Sequence, residues 1–194
     1  MRHQAFLYLG IDADPETDRI TRERAGGRMT IIGLSDPKDA PRIAAALARD
    51  GVDRIALCGG FALPWRARVA EAVAGRAVAG LVGYAFESLT GVAAYKAGFE
   101  AGRPGREALI SLEPGADPAV DRTVRERDGH HTTIVAVPDA DAAVRIATDL
   151  VAEGVTLIEL FGDFDSAAAS RVIEAVDGRC PVGSVGYGTE VLAG

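Results

Sequence analysis

The chain has 194 residues, 48% of them hydrophobic and 25% charged, with a formal net charge of -7. That balance belongs to an ordinary globular protein, long enough for one large core or two small ones. An acidic chain with only two lysines, Lys38 and Lys96, excludes a general attraction to nucleic acid or anionic membrane. No stretch approaches the ~20 apolar residues of a membrane span. The opening MRHQAFLYLG holds too short an apolar run for a secretion signal. Two cysteines, Cys58 and Cys180, cannot make a disulfide framework and read as reduced thiols. The expected setting is cytoplasmic, and a homodimer is compatible with it.

Residues 5–10 (AFLYLG) predict a short apolar strand. In the following DADPETDR, Asp14 can cap a helix and Pro15 can take its first position. The next run, ITRERAGGRMTIIGL, reads as a hairpin or as a short helix ending at Gly26. The helix would have little apolar face beyond Ile20, which favours the hairpin. Residues 29–34 are a buried strand. Asp36-Pro37 starts a helix whose Ala40, Ile43, Ala44 and Leu47 fall at helical spacing, and Gly51 ends it. A strand at 52–58 follows, then a helix to about residue 73 with Val69, Ala72 and Val73 inward, ended by Gly75. The last strand is 78–84. The stretch ESLTGVAAYKAGFEAG then predicts a further helix with Leu89, Val92, Ala93 and Phe99 inward, and GRPG (102–105) is a link.

From residue 108 the series begins again. Residues 5–91 align with 108–194 at a constant shift of 103, without a gap. Asp14-Pro15 returns as Asp117-Pro118, Arg22-Glu23-Arg24 as Arg125-Glu126-Arg127, and Gly83-Tyr84 with Glu87 as Gly186-Tyr187 with Glu190. Roughly 40% of paired positions are identical, which marks a tandem duplication. The second hairpin is clearer than the first, because Asp128-Gly129 lies between β-favouring residues. The expected organisation is a first αβ repeat over 1–91, a connecting helix and linker over 92–107, and a second repeat over 108–194.

Strands alternating with helices predict an α/β protein with mostly parallel strands flanked by helices. Two packings fit. In one, two homologous repeats form a pseudo-twofold unit. In the other, each repeat is half of an eight-stranded (βα)8 barrel. Strand starts at 5, 29, 53, 78 and 108 suit the barrel. The hairpins and the missing last helix count against it.

LCGGF (57–61), the Trp65 segment, AVAGLVGYAFESLTGVAAYKAGFEAG (77–102) and the ADPETDR opening resemble a bacterial family of about one repeat per protein, catalogued as a domain of unknown function. The resemblance extends over both copies. The second copy departs from it, with Phe161-Gly162-Asp163-Phe164 and Ala168 at the places of the Cys58 loop and Trp65. It implies an α/β domain able to stand as a single unit, and it supplies no activity.

Candidate chemistry is expected at the carboxyl ends of the strands. The sharpest signal is VTLIELFGDFD (155–165), where Glu159 sits inside an apolar strand and Asp163 and Asp165 follow. A buried carboxylate is costly unless paired, hydrogen-bonded or protonated. Strand alternation would put Glu159 and Asp163 on one face. Their first-copy partners are Ala56 and Gly60, so such a site exists once per chain. Glu159 otherwise pairs structurally with an arginine, and Asp165 caps the next helix. Glu87 and Glu190 each follow a tyrosine by three residues, Tyr84 and Tyr187, and serve either as acid–base groups or as helix starts. Cys58 precedes two glycines that can lower a thiol pKa, although no partner for it is visible in the sequence and a small buried thiol is the favoured reading. Trp65 joins Cys58, Tyr84 and Tyr187 as a candidate substrate contact.

His130-His131 suit a metal by type, but their spacing to the acids is arbitrary and a surface position explains them, so no metal is assigned. Arg19, Arg22, Glu23 and their second-copy partners read as cross-strand pairs on a solvated face. No phosphate-binding glycine loop is present, so no nucleotide cofactor is expected. The leading expectation is an enzyme using carboxylate acid–base chemistry on a small metabolite, of isomerase or lyase type, with Glu159, Asp163, Glu190 and Glu87 catalytic. The alternative is a non-catalytic small-molecule-binding or assembly module. A scaffold for a protein partner would show an exposed apolar patch instead.

Overall fold

A computed structural model describes residues 2–188. The chain divides into two compact units, one of residues 2–82 with 185–188 and one of residues 83–184.

The first unit contains β1 (Arg2–Leu9), β2 (Arg19–Arg24), β3 (Gly27–Leu34), α1 (Ala40–Arg49), β4 (Arg54–Leu57), α2 (Leu63–Val73) and most of β5 (Val78–Tyr84). Its strands lie in the order β2-β3-β1-β4-β5. All neighbours are parallel except β2, which runs antiparallel to β3. The apolar centre of β1 is buried on both faces, as its continuous run requires. In contrast β2 alternates exposed and half-buried positions, and its Glu23 pairs across the hairpin with Arg28 at 2.6 Å.

The second unit contains α3 (Leu89–Glu100), β6 (Arg106–Leu112), β7 (Arg122–Arg127), β8 (His130–Val137), α4 (Ala140–Ala152), β9 (Leu157–Gly162), α5 (Ser166–Val176) and the start of β10 (Val182–Tyr187). Its order is β10-β9-β6-β8-β7, again parallel except for the hairpin strand β7. The hairpin turn places Asp128 at φ 47° and Gly129 at φ 76°, the two left-handed positions a two-residue turn of matching twist needs. On one face Ala108, Ile110, Val135, Val137, Ile158 and Leu160 pack against Ala143, Ala147 and Leu150 of α4 and Val172 and Val176 of α5. Helix α3 bonds to the opposite face, through residues that alternate with these along β6 and β8.

Each unit is a five-stranded mixed sheet edged by a hairpin strand. Half of a (βα)8 barrel would instead be four parallel strands alternating with helices, so the reading as two tandem αβ repeats stands.

Three local expectations need correction. Asp14-Pro15 and Asp117-Pro118 start turns, not helices. Asp14 Oδ1 accepts from the amides of Glu16 (2.8 Å) and Thr17 (3.2 Å), and Asp117 Oδ1 accepts from Ala119 (3.0 Å). Helices α2 and α5 end in a left-handed residue that is not glycine: Ala74 at φ 50° and Asp177 at φ 52°, each followed by the expected glycine. In α3, Leu89 is 50% and Phe99 45% exposed, and Ala93 is exposed too. Of the four residues expected inward only Val92 is partly covered. The inward line runs instead through Gly91, Tyr95 and Gly98, because the helix lies close to its neighbours. A Cβ at Gly91 would stand 2.9 Å from Pro181 Cδ, and one at Gly98 would stand 3.1 Å from the Arg103 carbonyl oxygen.

The predicted caps at Asp36 and Asp139 form, and so does the cap at Asp165. Asp139 accepts from the Ala142 amide at 2.8 Å, and Asp165 from the Ala168 amide at 2.7 Å. Each satisfies an amide that the first turn of its helix leaves open. Asp139→Ala and Asp165→Ala are each expected to lower the unfolding free energy by about 1 kcal/mol. Urea midpoints check this, and unchanged midpoints for both would show the caps to be idle.

Candidate functional site

The strand β9 carries its glutamate into the interior. Ile158 and Leu160 face the α4–α5 core, so Leu157, Glu159 and Phe161 face the other way. Glu159 is 2% exposed and sits in register with Leu109 of β6 and Gly183 of β10. Its Oε1 accepts a hydrogen bond of 2.7 Å from Tyr84 Oη. This partner is a phenol, contributed by the last residue of β5. Tyrosine suits this place because its ring supplies apolar cover while its hydroxyl supplies the donor a buried carboxylate requires.

Asp163 lies one residue past the end of β9. The strand ends at Gly162, whose φ of 84° turns the chain, and the alternation ends with it. Asp163 is half-buried beyond that turn, its amide donating to the Leu112 carbonyl at 3.2 Å.

The remaining candidates fall in separate places. In the first unit, Cys58 is buried at the end of β4, where its sulfur accepts from the Leu9 amide at 3.4 Å. Trp65 is half-buried on α2 with the Arg68 guanidinium 4.3 Å from its ring centre. Tyr187 stacks beneath Arg54 at 5.7 Å and fills the space left by Gly80, where a Cβ would meet its ring at 2.8 Å. In the second unit, Glu87 is exposed on a 3-10 turn (Phe86–Ser88) that leads into α3. Glu190 lies outside the described residues.

Glu87 opens onto a cleft of ≈ 260 Å³. One wall is the start of α3, with Glu87, Ser88 and Gly91; the other is the end of α5 with Glu174 and Asp177. The floor is Ile173, Cys180, Pro181 and Val182. Ser88 fixes the α3 wall to the floor, since its Oγ donates to the Val182 carbonyl and accepts from the Val182 amide, both at 3.3 Å. Burial pushes the Cys180 thiol up to about 12, which favours its neutral form in the floor of the cleft. The cleft lies at the amino end of β10, whereas the sequence pointed to carboxyl ends. Of its three rim acids, Glu174 has a counterpart in Glu71 and Glu87 in Glu190, so Asp177 is the one that differs between the copies. At the shift of 103, Ile173, Asp177 and Cys180 correspond to Ala70, Ala74 and Ala77.

A second cluster escaped the sequence reading. At the start of β6, Glu107 accepts from Thr132 Oγ1 (2.7 Å) and from Tyr95 Oη of α3 (3.1 Å). His130 Nε2 stands 3.3 Å from Tyr95 Oη and 3.5 Å from Glu107 Oε1, and the Phe99 ring meets the imidazole edge-on at 5.9 Å. His130 is therefore buried, against the expected surface position. His131 points to the other face, where Arg106 lies 3.3 Å away, as strand alternation requires. The available signal was the departure from the repeat: Glu107, His130 and Thr132 stand where the first copy has Gln4, Gly27 and Met29. Among the described residues, no group of three histidine, cysteine or acidic side chains is arranged to hold a metal ion.

The architecture is that of a duplicated α/β domain. Residues 2–97 and 105–193 each match the Family of unknown function (DUF6506), and the chain belongs to that family as a tandem pair. No curated protein matches the chain. Among solved structures it is similar to an ABC transporter solute-binding protein from Clostridium phytofermentas with bound L-rhamnose. That pair is 12% identical over 91% of this chain and 64% of the other, with a TM-score of 0.33. A periplasmic solute-binding protein from Actinobacillus succinogenes with bound D-allose gives 13% identity, 93% and 77% coverage and a TM-score of 0.28. The chain thus spans 64% of the length of the first of these proteins. Among the described residues no helix is long and apolar enough to cross a membrane.

Proposed function

We propose that the protein binds a small polar molecule without transforming it, and that the ligand seats in the α3–α5 cleft of the second unit. The observation carrying this reading is the cleft itself: ≈ 260 Å³ with an apolar floor and three carboxylates, Glu87, Glu174 and Asp177, on its rim. A concave apolar surface with a few converging polar groups is the usual form of a small-ligand site. Carboxylates at the mouth favour a ligand bearing an amine or several hydroxyl donors. Two free, buried cysteines fit a reducing, cytoplasmic setting.

Binding is tested by thermal-shift titration with 1,4-diaminobutane and ethanolamine against glycerol and glucose. The expected result is a rise in Tm for at least one compound, with affinity reduced about tenfold in Glu87→Gln/Glu174→Gln, the loss expected for one charge-assisted hydrogen bond. No shift from any of the four, or a shift indifferent to the double substitution, overturns the reading.

One observation favours a second reading, acid–base catalysis by Glu159 on a small metabolite: its short hydrogen bond to Tyr84 in the interior. This requires substrate to reach a carboxylate that is 2% exposed. Loss of turnover in Glu159→Gln, with the fold intact, would establish it.

A further inference from the structure

We infer that α3 is a latched wall of the cleft and that Tyr95 is the positioning residue that holds it, an inference that rests on the cleft being the binding site. Helix α3 is held differently from the others. Helix α4 buries Ala142, Ala143, Ala147 and Leu150, and α5 buries Ala169, Val172 and Val176. None of the twelve residues of α3 is buried. Apolar burial is the usual anchor of a short helix, so a helix without it depends on its polar contacts to an unusual degree.

Two of those contacts tie this region to the sheet. Ser88, just before the helix, bonds to both backbone groups of Val182. One and a half turns into the helix, Tyr95 reaches the buried Glu107 carboxylate and stands beside His130. The Glu107 carboxylate is nearly enclosed, with one oxygen turned to Thr132 and the other to Tyr95. A carboxylate in that position strongly favours keeping both donors.

The duplication supplies an independent argument. Three positions have changed together between the copies: Gln4 against Glu107, Gly27 against His130 and Met29 against Thr132. All three lie on neighbouring strand starts of the second unit: Glu107 and His130 meet Tyr95 of α3, and Thr132 donates to Glu107. The acceptor set exists where α3 sits. The same helix carries Gly91 into the cleft wall and follows directly on Glu87 and Ser88. Release of Tyr95 would therefore shift the wall bearing Glu87, while α5 and β10 on the other side keep their apolar anchors.

The test is hydrogen–deuterium exchange on Tyr95→Phe, which keeps the ring and removes the hydroxyl. Amides of residues 89–100 are expected to exchange about tenfold faster, the factor given by losing one hydrogen bond to a charged group. Amides of β6, β8 and β9 are expected to be unchanged. Glu107→Gln, which keeps the shape but removes the charge, is expected to give the same local pattern at smaller size. Unchanged exchange in α3, or a rise shared by the whole unit, overturns the latch. The comparison uses no ligand. A failed titration with 1,4-diaminobutane and the other probes overturns the binding reading alone, and unchanged exchange overturns the latch alone.

Discussion

Phe161→Ala is expected to lower the unfolding free energy by about 3–5 kcal/mol, the largest loss of any single truncation on the Glu159 face. Phe161 is 1% exposed, one of the two largest fully buried side chains among the described residues. It stands in register with Ser111 of β6 and lies two residues beyond Glu159 on the same strand face. Removing the ring forfeits its transfer free energy and leaves a cavity that a strand bonded on both sides cannot collapse to fill. Phe86→Ala is the control. That ring is 90% exposed, and its loss is expected to change stability by less than about 0.5 kcal/mol. Circular dichroism in urea gives both values. A loss under about 1 kcal/mol at Phe161 would mean the face repacks, and Glu159 would then lose its enclosed setting as well.

The fold was legible because the duplication states each element twice. Where the first hairpin was ambiguous, Asp128-Gly129 resolved it, and both copies adopt the hairpin. Helix starts were readable from Asp36 and Asp139 because a cap is a contact within three residues. Helix α3 was misread for a related reason. Hydrophobic spacing selects the largest apolar side chains, Leu89 and Phe99, as the inner face. This helix approaches close enough that glycines and one tyrosine form that face, and the sequence carries no direct sign of how close two elements come.

The candidate site was legible in part. Glu159 announced itself as an acid in an apolar run, and the structure buries it. Its donor, Tyr84, lies 75 residues away and becomes a neighbour only through sheet pairing. Glu107 was invisible, since an acid at the start of a strand reads as solvated. It meets Thr132, 25 residues on, only because β6 pairs with β8. Comparison of the two copies position by position, applied to strand starts as well as to strand ends, would have exposed it.

Tyr84→Phe and Glu159→Gln are expected to differ in sign or size although they break the same hydrogen bond. Removing the phenol hydroxyl takes a donor from a carboxylate that stays buried, and should cost about 2–3 kcal/mol, the range for hydrogen bonds to charged groups. Glu159→Gln removes the charge itself and keeps an oxygen able to accept from Tyr84 Oη. Its cost is expected to be under about 1 kcal/mol, and a gain is equally consistent, because desolvating a carboxylate offsets much of what its contacts supply. In the double variant the Tyr84→Phe penalty should shrink to about that of a neutral hydrogen bond, ~1 kcal/mol. The cycle, read from urea midpoints, therefore isolates the charge. Equal costs for the two single variants would show that shape, and not the carboxylate, is what β9 needs at this position. The same Glu159→Gln protein also divides the two functional readings. If the α3–α5 cleft is the site, its affinity for the probe that stabilises the wild type is unchanged. If Glu159 is the reacting group, the fold survives and turnover does not.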